Sequence, residues 1–327
     1  MNTVTMKWLL RREFWEYKGS MFWAPLAVAA LLVLFVGGTV VYGLATHHVP
    51  THVTINGQTL DGVKVGVTLE ATRRIAQLGS SVYLGASLPL FALLTAVIFS
   101  YCLGALHDER RDRSILFWKS LPVSDGMTVL SKAITALLVA PLITIVLGTV
   151  ASLLLLLISC VTLSIGGVHV FAYVLSSPDL YLSPLRLLAL LPVYVVWALP
   201  AVGWLLLVSS WARAKPLIWA VGVPLIGLLL VKWISLAAAN VNGEPLGLMP
   251  YAQDVVARLL GGIVPGIWFG FDGVPSAVRT DPSGAAMDGL VSSSYATLAH
   301  ADAWLWALLG AAMLYAAMRL RRFRDEG

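Results

Sequence analysis

Charge is what this chain lacks. Only 12% of its 327 residues are Asp, Glu, Lys or Arg, while 58% are hydrophobic. Soluble domains carry roughly 25% charged residues, and a wetted globular surface cannot be assembled from half that supply. With a mean hydropathy of +0.83, the chain is expected to be an integral membrane protein. Its net charge of +5 then reads as topology and lipid contact, with no nucleic acid expected as a partner. Cysteine is nearly absent too. Cys102 and Cys160 fall within apolar runs, which excludes a disulfide framework and leaves them as small hydrophobic fillers. Catalytic signatures are also missing. There is no Gly-Lys pair, hence no G-x-x-x-x-G-K-[ST] phosphate loop, and neither a G-x-S-x-G elbow nor an H-E-x-x-H pair occurs. The chain is not expected to be an enzyme or to bind a cofactor. His47, His48 and His52 in HHVPTH are weak metal candidates, but Pro50 breaks helical spacing and no Cys or carboxylate completes a set, so no metal is expected.

What the chain has in abundance is long apolar runs. Six of them reach or approach the ~20 helical residues needed to cross hydrocarbon: 21–45, 82–106, 128–163, 185–211, 216–239 and 303–318. Polar segments separate them at 46–81, 107–127, 164–184, 212–215 and 240–302, with tails at 1–20 and 319–327. Prolines 141, 192, 200 and 224 fall within the runs and are expected to kink them. Ionisable residues are costly there. Only Lys232 lies well inside a run, with Lys132 and Arg186 at edges. No buried carboxylate is expected, which argues against a proton- or ion-driven transporter.

The polar segments have patterns of their own. Residues 1–20 keep their charges through Lys18, so no signal peptide is expected. Met6, Leu10, Phe14, Tyr17 and Met21 recur at helical spacing, with Lys7, Arg11 and Lys18 on one flank and Arg12 and Glu16 on the other. That pattern predicts an interfacial helix, with Leu10 and Phe14 on its apolar stripe and Trp8 and Trp15 at headgroup level. In 46–81, HVTINGQTL places β-type residues around an Asn56-Gly57 turn, a hairpin signal, and a short helix is predicted over 68–79. In 240–302 one amphipathic piece is predicted near 252–260. The fold class is thus an all-α polytopic membrane protein with six transmembrane helices, an N-terminal interfacial helix and a small extracytoplasmic α/β insert.

Basic residues assign the sides. The tails and the 107–127 and 212–215 loops together hold fourteen Lys or Arg, whereas the opposite side holds five over a greater length. The positive-inside rule then puts both termini in the cytoplasm.

The most charged run is Leu106–Lys132. It is too polar for a bilayer core and too apolar for a solvated linker. Arg110, Arg111, Arg113 and Lys119 alternate with Asp108, Glu109 and Asp112, and Ile115, Leu116, Phe117 and Trp118 precede Leu121-Pro122. Either an ordinary basic loop or a surface element that meets a soluble partner fits this composition. The segment ERRDRSILFWKSLPVSD (109–125), followed by TVLSK (128–132), resembles the loop between the second and third spans of bacterial ABC-transporter permeases of the type-2 exporter family. The six spans, the cytoplasmic termini and the N-terminal helix agree with that family, so the resemblance covers essentially the whole chain. It implies a coupling helix that docks on a separate ABC ATPase subunit, present in two copies and carrying ATP and Mg. The docking residues it implies are Arg113, Ile115, Leu116, Phe117, Trp118, Lys119, Leu121 and Pro122. Glu109, Arg110, Arg111 and Asp112 are expected to form a charge network at the membrane surface, worth little if exposed. A second permease chain, identical or related, is implied as a further partner, besides membrane lipids. The polar material at 46–81 and 240–302 exceeds what many family members carry. Two other readings stay open: a non-transporting scaffold that passes ATPase motion to an extracytoplasmic partner, and a membrane enzyme with an outer-face site.

Overall fold

Alternating wet and apolar stretches fold here into a helical bundle with short helices at both ends. The computed structural model describes residues 3–46, 52–55, 58–61, 79, 83–112, 123–165, 170–242, 247–272 and 284–323. Among these, six helical stretches are long and apolar enough to cross a membrane: Gly19–Gly43, Tyr83–Arg111, Asp125–Ile165, Pro178–Trp211, Pro216–Asn240 and Ala301–Arg321. They mark a multi-pass membrane protein and are numbered as spans 1 to 6.

The chain opens with helix α1 (Thr3–Glu16), and a π-turn at Gly19–Trp23 leads into α2 (Ala24–Ala45). Two short antiparallel strands follow, β1 (His52–Ile55) and β2 (Gln58–Asp61), with Val53 opposite Leu60. The helix expected at 68–79 lies, but for Gly79, outside the described residues. A 3₁₀ turn at Tyr83–Ser87 precedes α3 (Leu88–Arg111). Beyond the loop, α4 (Asp125–Ile134) starts at Ser124, whose Oγ accepts from the Met127 backbone N–H and so caps the helix. A second π-turn, Thr135–Val139, joins it to α5 (Ala140–Ile165). Both π-turns come just before a proline, Pro25 and Pro141. A proline ring crowds the carbonyl four residues back, and the wider π-turn moves that carbonyl aside without ending the helix.

Short helices α6 (Phe171–Ser176) and α7 (Pro178–Ala189) lead to α8 (Leu191–Trp211). Pro192 sits in the first turn of α8, where its missing N–H costs nothing. There it separates α7 from α8 and does not kink a continuous helix. Helix α9 (Pro216–Asn242) follows a turn in which Lys215 adopts a positive φ of 49°. Three more helices, α10 (Met249–Gly261), α11 (Trp268–Asp272) and α12 (Gly284–Thr297), precede the last, α13 (Ala301–Phe323).

Span 4 is the axis of the bundle. In its most apolar window 61% of residues are buried, against 17% for span 1 and 11% for span 5, which are the outermost. The largest core cluster gathers Val193, Trp197, Val202 and Leu206 of α8 with Ile98 and Cys102 of α3, Val129 and Ala136 from the α4 region, and Leu314 of α13. The backbones of α8 and α13 nearly touch. A Cβ added at Gly203 would lie 2.5 Å from the Gly310 carbonyl oxygen, and one at Gly310 would lie 2.7 Å from the Leu199 carbonyl. Two glycines on facing helices permit this approach, as small residues do throughout membrane bundles.

Candidate functional site

One end of the bundle gathers α1, the last turn of α3, the first turns of α4 and the end of α13, and charge is concentrated there. Met6, Leu9 and Glu13 share one buried side of α1, because positions three, four and seven apart lie together on a helix. Glu13 and Lys132 are both 0% exposed. The Lys132 Nζ lies 3.0 and 3.2 Å from the two Glu13 carboxylate oxygens and 3.0 Å from Oε1 of Glu109. Tyr101 Oη donates to Oε2 of Glu13 at 2.9 Å.

Glu109 is 4% exposed and collects three cations among the described residues. Besides Lys132, Arg321 Nη1 donates to its Oε2 at 2.8 Å, and Arg12 Nη2 lies 3.4 Å from its Oε1. Arg321 also reaches Asp125 through Nε at 3.2 Å, and Arg12 reaches Glu16 at 3.3 Å. Each buried carboxylate therefore has several donors and each buried cation at least one acid. That is the condition under which Coulomb attraction repays the several kcal/mol of desolvation per ion. Glu16 sits at the margin, its carboxyl raised from its ordinary range by burial first and by the neighbouring Glu13 charge second. Burial also raises the Tyr17 hydroxyl.

The same end is tied to span 4. Ser209 Oγ donates to the Leu103 carbonyl at 2.7 Å and accepts from the Leu106 and His107 N–H groups at 3.1 and 3.0 Å. Arg110 donates to the carbonyls of Ser209 and Ala212. A second arginine is buried at the far end. Arg258 of α10, 5% exposed, pairs with Asp254 and with Asp302 of α13. Its guanidinium lies 4.7, 4.5 and 5.4 Å from the ring centroids of Trp197, Phe271 and Trp306. A planar cation among three aromatic rings pins α10 to spans 4 and 6.

Several expectations change. Of the four residues expected in a surface charge network, Glu109 belongs to a buried cluster, Arg110 bonds the Ser209 and Ala212 carbonyls, and Arg111 and Asp112 are exposed. No buried carboxylate is expected from the sequence, yet Glu13 and Glu109 are both buried, and Lys132, near the start of its span, is enclosed with them. Their mutual pairing makes them fixed charges. The inward side of α1 also differs from the Met6–Leu10–Phe14 stripe. Leu9 and Glu13 are buried and Leu10 and Phe14 only half-buried, because Lys132 and Tyr101 offer Glu13 partners that pattern counting cannot see. Trp8 and Trp15 face outward.

The docking candidates Arg113, Ile115, Leu116, Phe117, Trp118, Lys119, Leu121 and Pro122 lie outside the described residues, as do His47 and His48; of His52 only the backbone is described, in β1. Among the described residues no group of three His, Cys, Asp or Glu could hold a metal ion. Glu13, Lys132 and Arg321 were not singled out from sequence as site residues. The available signal was the position of Lys132 inside an amphipathic, otherwise uncharged stretch leading into an apolar run, where an ionisable group is costly without a partner. Glu109 and Asp125 stand on either side of 113–122, and Arg321 bonds both. Comparison with protein-family models, curated proteins and solved structures finds no match.

Proposed function

We propose that this chain is the permease subunit of an ATP-driven exporter of the type-2 ABC family. It forms the translocation path with a second permease chain, identical or related, and couples through 113–122 to two copies of a separate ATPase that binds ATP and Mg. The observation that carries this reading is the Arg321 clasp across Glu109 and Asp125, the two stems of that loop. Lys132 extends the same cluster to Glu13 on α1. A push on the loop from a partner is thereby felt at once by α1, α3, α4 and α13, because a buried ionic junction yields as a unit or not at all. The basic tails and loops support a cytoplasmic side for this end. There α1 lies at the inner-membrane interface with Trp8 and Trp15 outward.

In this mechanism ATP binding closes the ATPase pair and the loops move with it. Spans 4 and 6, locked at Gly203 and Gly310, then rock as one piece to open the path outward. Arg258 carries α10 with them. This last tie also favours a second reading, in which the motion serves an extracytoplasmic partner and nothing is transported.

The test is co-purification with the ATPase encoded beside the gene, comparing wild type with a Trp118→Ala, Leu121→Ala double variant. ATPase activity should follow the wild type and be lost with the variant. No ATPase on either form removes the reading. Stimulation of the assembled ATPase by candidate substrates separates export from motion transfer.

A further inference from the structure

The outward side of α1 is basic and aromatic. Successive residues turn by about 100°, which sets Val4, Trp8, Arg11 and Trp15 opposite the buried Met6, Leu9 and Glu13, with Lys7 beside them and Lys18 just beyond the helix end. Trp8, Trp15 and Trp23 are 61%, 57% and 55% exposed. The Arg11 guanidinium lies 5.4 Å from the Trp8 ring centroid. The Lys18 ammonium lies 4.6 Å from that of Trp15 and 5.7 Å from that of Trp23. Among the described residues no carboxylate pairs with Lys7, Arg11 or Lys18. The acids of α1 are turned elsewhere: Glu13 faces Lys132 and Glu16 faces Arg12.

Three cations that pair with no described carboxylate, two of them over three open indoles, specify their surroundings. A face in bulk water has no use for indoles, and a face in hydrocarbon excludes the cations. The headgroup layer accepts both, since indoles settle at its apolar edge and cations meet phosphates. Zwitterionic lipids return their own positive charge to that layer, so a face with only cations favours lipids of net negative charge. We propose that this face of α1 is a binding site for anionic phospholipid headgroups, with Lys7, Arg11 and Lys18 on the phosphates. Glu13, on the reverse of the same helix, is held by Lys132, so a lipid seated here fixes the tilt of the helix that the buried cluster grips. The site rests on the placement of α1 at the interface and is independent of any ATPase.

The test uses the purified full chain in nanodiscs of phosphatidylcholine alone or mixed equally with phosphatidylglycerol, with retained lipids counted by native mass spectrometry. Wild type should retain phosphatidylglycerol in preference. A Lys7→Gln, Arg11→Gln, Lys18→Gln variant should lose about fivefold of that preference per cation removed. A control, Arg213→Gln with Lys215→Gln, removes two exposed cations from the same end and should keep it. Melting temperatures in phosphatidylcholine should agree for all three proteins. If the triple variant melts early, Lys7→Arg with Lys18→Arg takes its place and must preserve the preference. The proposal falls if wild type retains both lipids equally, as it would were the face reserved for a soluble protein. It falls equally if the triple variant matches wild type, or if the control loses as much. Only this chain is in the disc, so failure of an ATPase to associate leaves the result standing.

Discussion

Lys132 is the residue on which the buried cluster depends. Among the described residues its ammonium is the one cation paired with Glu13, at 3.0 Å, and it is shared with Glu109 at the same distance. Lys132→Met would leave Glu13 with the Tyr101 hydroxyl alone, and breaking a buried pair costs about 3–5 kcal/mol. Thermal unfolding in detergent should register that loss. Adding Glu13→Gln should recover part of it, with a coupling of about 1–3 kcal/mol in the double-mutant cycle; strictly additive losses would mean the contact is not made. Glu16 behaves in the opposite sense. Its carboxyl is raised above its ordinary 4.5 by burial and then by the Glu13 charge. A proton held more tightly in the folded chain contributes stability at low pH, and that contribution disappears as pH rises through the folded-state value. Glu16→Gln should therefore match wild type near pH 4 and melt higher at pH 7. A lower melting temperature at pH 7 would show that the Arg12 contact outweighs the cost of the charge.

Helices α8 and α13 meet at the two glycines, and the prediction there belongs to the element. A Cβ at Gly203 would need the Gly310 carbonyl to move, and backbone cannot swing aside as a side chain can. Gly203→Ala and Gly310→Ala should each destabilise by about 1–3 kcal/mol, as overpacking does. Gly227 in α9 has nothing within 4 Å of an added Cβ, so Gly227→Ala should be neutral or stabilising by up to about 1 kcal/mol. Equal effects at all three positions would mean that helix propensity, and not the close crossing, is being measured. Element existence was legible in the sequence because hydrophobic run length alone marks a span. Facing was less so. The outward side of α1 could be counted from its tryptophans, but its inward side includes an acid, and the partner of that acid is 119 residues away.

For the whole molecule the expected behaviour is a fixed orientation. Both native cysteines are buried and should resist a membrane-impermeant maleimide. A cysteine replacing Tyr251, exposed on α10, should label on intact cells, whereas one replacing the exposed Arg319 should label only after permeabilisation. The reverse pattern would invert the sidedness argued from basic residues, and the proposed docking of an ATPase would lose its compartment.

Composition and run length by themselves determined that this is a multi-pass helical membrane protein, with the six apolar helices long enough to span that the described residues contain, because lipid leaves an uninterrupted apolar helix few alternatives. They also located the charged loop between spans 2 and 3. Only the tertiary structure decided that Glu13, Glu109, Lys132 and Arg321 form one buried cluster at the base of that loop, and that Arg258 sits within an aromatic cage. The physical reason is the range of the forces. Transfer into lipid acts on each segment alone and leaves its mark in local composition. An ion pair depends on two groups that the fold alone brings within about 3 Å, and nothing in the sequence near Glu13 names Lys132 as its partner.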